Sequence, residues 1–214
     1  MAESTNGRQV ARGLRDVILA SPRFLAAPFM RSGHLRWGAT DAEVAGEMPG
    51  DELVPETSFS ATRAITVAAP PEAVWPWLAQ LGFGRAGFYS YDLFDNAARP
   101  SATTILPEFQ DPQVGDWVPM ASKVNETTAF KIAGLAPGEW MLWVKPNSTW
   151  SWKLVPLERG RTRLITRLKQ YNDWSASAPM ALVTVILFEV GDFPMMRRLL
   201  LGVKARAEAL ARAS

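Results

Sequence analysis

Between residues 115 and 171 the chain alternates runs of strand-forming residues with Pro, Gly and Asn turns at hairpin spacing, and nothing else in it limits the fold so tightly. Five strands are expected there: Gly115–Ala121, Glu126–Leu135, Glu139–Lys145, Thr149–Leu157 and Thr162–Tyr171. The turns between the last four are Ala136-Pro137-Gly138, Pro146-Asn147-Ser148 and Glu158-Arg159-Gly160. An earlier β-rich run, Thr62–Val67, is closed by Ala69-Pro70-Pro71. In the last strand Leu164, Thr166 and Leu168 share one face, while Arg161, Arg163, Arg167 and Lys169 share the other. One side of the sheet is therefore expected to be wet and the other covered. The expected cover is a helix from about Phe193 to Arg212. In it Met196, Leu199, Leu200, Val203, Ala207 and Leu210 recur at three- and four-residue steps, and Asp192 is placed to cap it.

The segment between first strand and sheet reads as two short helices. Pro71 opens the first, Pro76 sits inside it and Gly82 supplies a left-handed stop. The second, from about Phe88 to Ala98, carries Tyr89, Tyr91, Asp92, Asp95 and Asn96. Ahead of all this, residues 8–30 read as one or two short helices. Thr40-Asp41-Ala42-Glu43 is a capping box that starts a helix ending near Glu47. The irregular acidic stretch Asp51–Thr57 is taken as a boundary, giving an N-terminal helical extension over 1–57 and a main α+β domain over 58–214.

Composition removes several chemistries. With no Cys, disulfides, thiolate nucleophiles and cysteine-bearing metal sites are excluded, and a single His, His34, excludes multi-histidine centres. Neither metal nor cofactor is expected from the residues. The net charge is only +2. Its excess lies at the C-terminus, where Arg197, Arg198, Lys204, Arg206 and Arg212 face Asp192 and Glu208. That footprint is too small for a nucleic-acid domain, though it leaves weak contact with an anionic membrane surface open. Pro179–Val190 is the most apolar window, about half of the roughly 20 residues that a membrane helix needs. A cytoplasmic location is the default expectation. Gly82-Phe83-Gly84-Arg85-Ala86-Gly87 has the spacing of a dinucleotide fingerprint but follows a helix rather than a strand, so it is rejected.

The element order, the string TRAITVAAPPEAVWPWLAQLGFGRAGFYSYDLFDN at 62–96 and the string GDFPMMRRLLLGVKARAE at 191–208 resemble the START/Bet v 1-like superfamily, also called SRPBCC or polyketide cyclase-like. The resemblance spans roughly residues 35–210, and "GRAGFYSYD" with "HLRWGATDAEV" resembles an uncharacterised bacterial branch. It implies a helix-grip: a curved antiparallel sheet wrapped around the long C-terminal helix, with a cavity between them that the two short helices open or close. The fold hosts lipid carriers, hormone receptors and cyclases, so function has to come from the site.

Candidate lining residues of that cavity are Trp77, Tyr89, Trp117, Phe130, Trp140, Trp150, Trp152, Met196, Leu200 and Val203. Large aromatics suit an apolar pocket wall and an ordinary core alike. Candidate reactive residues are Arg85, to hold a carboxylate or carbonyl, Tyr91 as a donor and Asp92 as a base; the plain alternative is an Arg85–Asp92 ion pair. Glu189 is either a buried acid or a partner of an Arg such as Arg197, and lone His34 reads as a packing residue. The favoured expectation is a binder of a small apolar molecule, lipid or polyketide-like, rather than an enzyme. The alternatives are a cofactor-free cyclase, dehydratase or hydrolase in the same cavity, and a membrane-peripheral interaction protein.

Overall fold

The computed structural model describes residues 9–16, 18–19, 31–172 and 191–213. Residues 9–16 are helical (α1), followed by α2 (Arg31–Leu35) and α3 (Asp41–Ala45). Then come β1 (Phe59–Val67), α4 (Pro71–Ala79), α5 (Asp92–Asp95), β2 (Trp117–Pro119), β3 (Ala129–Ala136), β4 (Trp140–Lys145), β5 (Ser148–Leu157), β6 (Arg161–Gln170) and α6 (Phe193–Ala213). The run Pro179–Val190, Glu189 and most of the expected helix over 8–30 lie outside the described residues.

The strands form one curved six-stranded antiparallel sheet in the order β1-β6-β5-β4-β3-β2, and α6 lies across its inner face against α4 and β1. This is the α+β helix-grip expected from the sequence. Alternation decides what faces inward. On β5 Trp150, Trp152 and Leu154 are buried, opposite Trp143 and Met141 of β4, while α6 presents Met196, Leu199, Leu200, Val203 and Ala207 to them. A register shift between Ile132 and Gly134 marks a bulge in β3. The helix expected over Phe88–Ala98 is only the single turn Asp92–Asp95, because Tyr89, Ala97 and Ala98 adopt positive φ.

The charged face of β6 is not wet, which corrects the expectation from the strand pattern. Residues 34–54 wrap the free edge of β1 and cover that face. Ala64 N–H donates to the Trp37 carbonyl at 3.1 Å, so the extension blunts an edge that would otherwise be open to pairing. Gly38 is needed at the crossing, since a Cβ there would sit 2.1 Å from the Ala64 oxygen and its φ is +72°. The Thr40/Glu43 capping box forms, and the same Glu43 carboxylate meets Arg163 at 2.7 Å. That guanidinium holds the Glu43 carboxyl well down, at about 2, although burial opposes it.

Arg167 spends every guanidinium donor on the fold. It donates to Thr62 Oγ1, to the carbonyls of Glu43, Val44 and Gly46, and to Asp51 Oδ2 at 2.5 Å. It is 6% exposed, so its removal leaves a carboxylate and several carbonyls without their donor. Arg167→Ala is expected to destabilise the protein by about 3–5 kcal/mol, the range for breaking a buried charge pair. It should also open residues 41–53 to limited proteolysis under conditions where the parent is uncut.

Candidate functional site

A helix cannot fill the whole concave face, and the space left over is a cavity of about 260 Å³ between the N-terminal half of α6 and the strands. Phe130 of β3, Trp150 of β5 and Leu168 of β6 form one wall; Met195, Met196 and Leu199 of α6 form the other, with Phe88 and Met120 from loops. Trp150 is the keystone of the wall. Its indole N–H donates to Thr166 Oγ1 at 2.9 Å, and its ring packs between Phe88, Phe130, Trp143 and Trp152 at centroid distances of 4.9–6.5 Å.

Among the described residues three ionisable side chains, Lys145, Asp95 and Asp192, border this apolar space. Lys145 ends β4 on the same parity as Met141 and Trp143, so its chain runs inward, with Nζ 4.9 Å from the centre of the Phe130 ring. Burial lowers its pKa. Asp95, at the end of α5, is 7% exposed, and neither carboxylate oxygen has a hydrogen-bond partner among the described residues. The neighbouring Ser90 hydroxyl gives its proton to the Met195 carbonyl at 3.0 Å. Burial first, and the charge of Asp92 second, push the Asp95 carboxyl up to about 7.

Asp192, expected as a helix cap, instead pairs with Arg63 at 2.5 Å, both almost fully buried. Arg63 Nε also donates to the His34 carbonyl, and the His34 ring stacks on Phe193 at 3.7 Å. This cluster fixes the start of α6 against β1 and the extension. It also sets one end of the cavity, which Gly191 and Asp192 line.

Of the residues singled out from sequence, Phe130, Trp150 and Met196 line the cavity. Trp152, Leu200 and Val203 lie behind it in the core, and Trp77 packs edge-on against Tyr89 at 5.9 Å. Trp117 and Trp140 are not brought to it: they are only partly buried, on the parity opposite to Val118 and to Met141 and Trp143. Tyr89 is buried with φ 54°, donates to the Trp77 carbonyl and accepts from Gln80; burial raises its pKa, which keeps it a neutral donor. Gly202 permits that loop to press on α6, since a Cβ there would meet the Tyr89 oxygen at 2.5 Å.

Arg85 does not converge with Tyr91 and Asp92, which line one small space apart from the cavity. Arg85 donates to the Ala79 and Trp117 carbonyls and lies over Phe109, in a separate depression of about 250 Å³ with Glu108, Asp111 and Asp116. Burial lowers its pKa. Asp92 accepts from the Ser101 N–H and hydroxyl, so no Arg85–Asp92 pair forms. Tyr91 lies under Arg198, which pairs with Asp16 of α1, around a space of only about 90 Å³. A shallow space of about 540 Å³ on the outer face, lined by Asp51, Arg167 and Lys169 among others, already has its charges answered internally. Among the described residues no cluster of three His, Asp or Glu could hold a metal, and no helix is long and apolar enough to cross a membrane.

No family model matches the chain, and no curated protein matches it. Solved structures do. A polyketide cyclase-like protein of Corynebacterium glutamicum matches at 16% identity over 70% of this chain and 91% of its own, with a TM-score of 0.41. The Zhui aromatase/cyclase of a Streptomyces species matches at 17% identity over 72% of this chain and 96% of its own, TM-score 0.41. An HSP90 activator of Plasmodium falciparum matches at 11% identity over 68% and 97%, TM-score 0.41. At such values the likeness carries no argument about activity, and the site has to be read from its own residues.

Asp95 makes the stability of the fold depend on pH. Its carboxyl ionises near 3.8 when unperturbed and near 7 in the folded protein. Between these values the native state keeps a proton that the unfolded chain has lost, so stability falls as pH rises from about 4 to about 7 and levels off above. Asp95→Asn is therefore expected to raise the melting temperature over the parent at pH 8 and to lose most of that advantage at pH 4. Equal differences at both pH values would contradict the assignment.

Proposed function

We propose that this protein binds a small, largely apolar molecule in the cavity between α6 and strands β3–β6. The observation that carries the reading is the cavity itself: about 260 Å³, walled by Phe88, Phe130, Trp150, Leu168, Met196 and Leu199. A cavity of about 150 Å³ holds benzene, so this one has room for roughly 10–15 non-hydrogen atoms, a short chain or one to two rings. Rigid aromatic walls with few polar groups are what such ligands select. Supporting it, Trp150 of the cavity wall is held in place by its own hydrogen bond to Thr166.

A second reading, acid–base chemistry on the bound molecule, is favoured by one observation. Asp95 combines a place in the cavity with a pKa near neutrality, whereas Asp92 faces away into a loop. It is the carboxyl that this reading would use to take or give a proton.

Binding of decan-1-ol, followed by isothermal titration calorimetry, tests the cavity. Leu199→Phe fills part of the space and is expected to weaken binding by about tenfold, overpacking costing about 1–3 kcal/mol. Val114→Phe, at an exposed position, should leave binding unchanged. Equal affinity in both variants would remove the cavity from the account.

A further inference from the structure

Resting on that cavity reading, a more specific ligand class follows from Lys145, the one basic group among the described lining residues. An alkyl amine on an inward-facing strand position is unusual, because a neutral residue would pack there without a desolvation cost. Lys145 nevertheless follows Met141 and Trp143 on the inner face, and its Nζ rests on Phe130 at the cavity wall. Burial alone accounts for its lowered pKa, with no nearby acid contributing. Lys145 also borders a second space, with Glu126, Val144 and Pro146 among its lining, and makes no ion pair with Glu126. The inner lining offers Asp95 and Asp192 as its other charged groups. Asp192 is taken by Arg63, and Asp95 is half neutral at pH 7. Among the described residues, the amine is thus a donor without an acceptor.

We infer that the cavity takes a medium-length monocarboxylate, with the carboxylate on Lys145 Nζ and the apolar body along Phe130, Trp150, Met196 and Leu199. A carboxylate supplies the missing acceptor in a charge-assisted bond, which is stronger than a neutral one. A cationic ligand would meet the ammonium of Lys145 and find Asp95 only partly ionised. A neutral alcohol would gain the apolar contacts and could accept from Lys145 only through a neutral oxygen, a weaker bond than a carboxylate makes.

The test compares decanoate, decan-1-ol and decylamine by titration calorimetry at pH 7 against the parent, Lys145→Met and Lys145→Arg. In the parent, decanoate is expected to bind at least about tenfold tighter than decan-1-ol, the range for a hydrogen bond to a charged group. Lys145→Met should reverse the order, because the carboxylate then enters an apolar site unpaired, while decan-1-ol stays within about threefold of the parent, which also shows that the variant is folded. Lys145→Arg should keep the preference for decanoate. Equal binding of decanoate and decan-1-ol in the parent, tighter binding of decylamine, or an unchanged decanoate preference in Lys145→Met would each overturn the carboxylate assignment and leave the apolar cavity standing. Failure of all three probes on the parent would overturn the cavity reading and this inference with it.

Discussion

A six-stranded sheet is about 24 Å wide, five gaps of about 4.8 Å, while a helix with its side chains measures about 10–12 Å. One helix must nevertheless cover the inner face, since the described residues place only α6 across it, with α4 beside it. Everything else follows from that mismatch. The sheet curls, helped by the bulge between Ile132 and Gly134, and the strands nearest α6 and α4 pack directly on them. Farther along the sheet the gap is closed by three tryptophans packed edge-on and tilted against one another, Trp143, Trp150 and Trp152. Where even these do not reach, between Trp150 and the first turns of α6, a cavity remains.

The outer face poses the opposite problem. It carries Arg163, Arg167 and Lys169 on one strand, charges that repel one another when close together. The extension resolves this by bringing Glu43, Asp51 and a row of carbonyls onto them while shielding the β1 edge. The same segment reaches around to the inner side, where the His34 carbonyl and ring meet Arg63 and Phe193 at the start of α6. The extension, the edge strand and the helix that bounds the cavity are therefore mechanically one unit, and a change at Arg63, which is not in the lining, acts on the cavity through Asp192.

Much of this was legible in the sequence because two periods, 2 and 3.6, leave strong marks. The strands, the α6 stripe, the capping box and the burial of Trp150 and Trp152 all follow from spacing. Parity also says that Trp140 and Trp143, three apart, cannot share a strand face, and that Lys145 does share one with Trp143; the aromatic character of Trp140 and Trp117 obscured this. What spacing does not report is what covers a face. A strand with alternating Arg and Lys reads as solvated, and only the tertiary arrangement brings Glu43 and Asp51 over it. Tyr89, Tyr91 and Asp92 read as a helical cluster facing the cavity, but Tyr89 takes a positive φ where it packs on Gly202, and Asp92 accepts from Ser101 while Asp95 lines the cavity.

The central claim is that the space between α6 and the aromatic wall is open to a guest rather than closed by its own side chains. The most direct measurement is a crystal structure under xenon pressure, since xenon enters apolar cavities without needing a specific partner. The account predicts xenon density bounded by Phe130, Trp150, Leu168, Met196 and Leu199, with those side chains essentially where they stand in the free protein. A structure in which Trp150 and Met196 close on one another and no xenon is found there would contradict it.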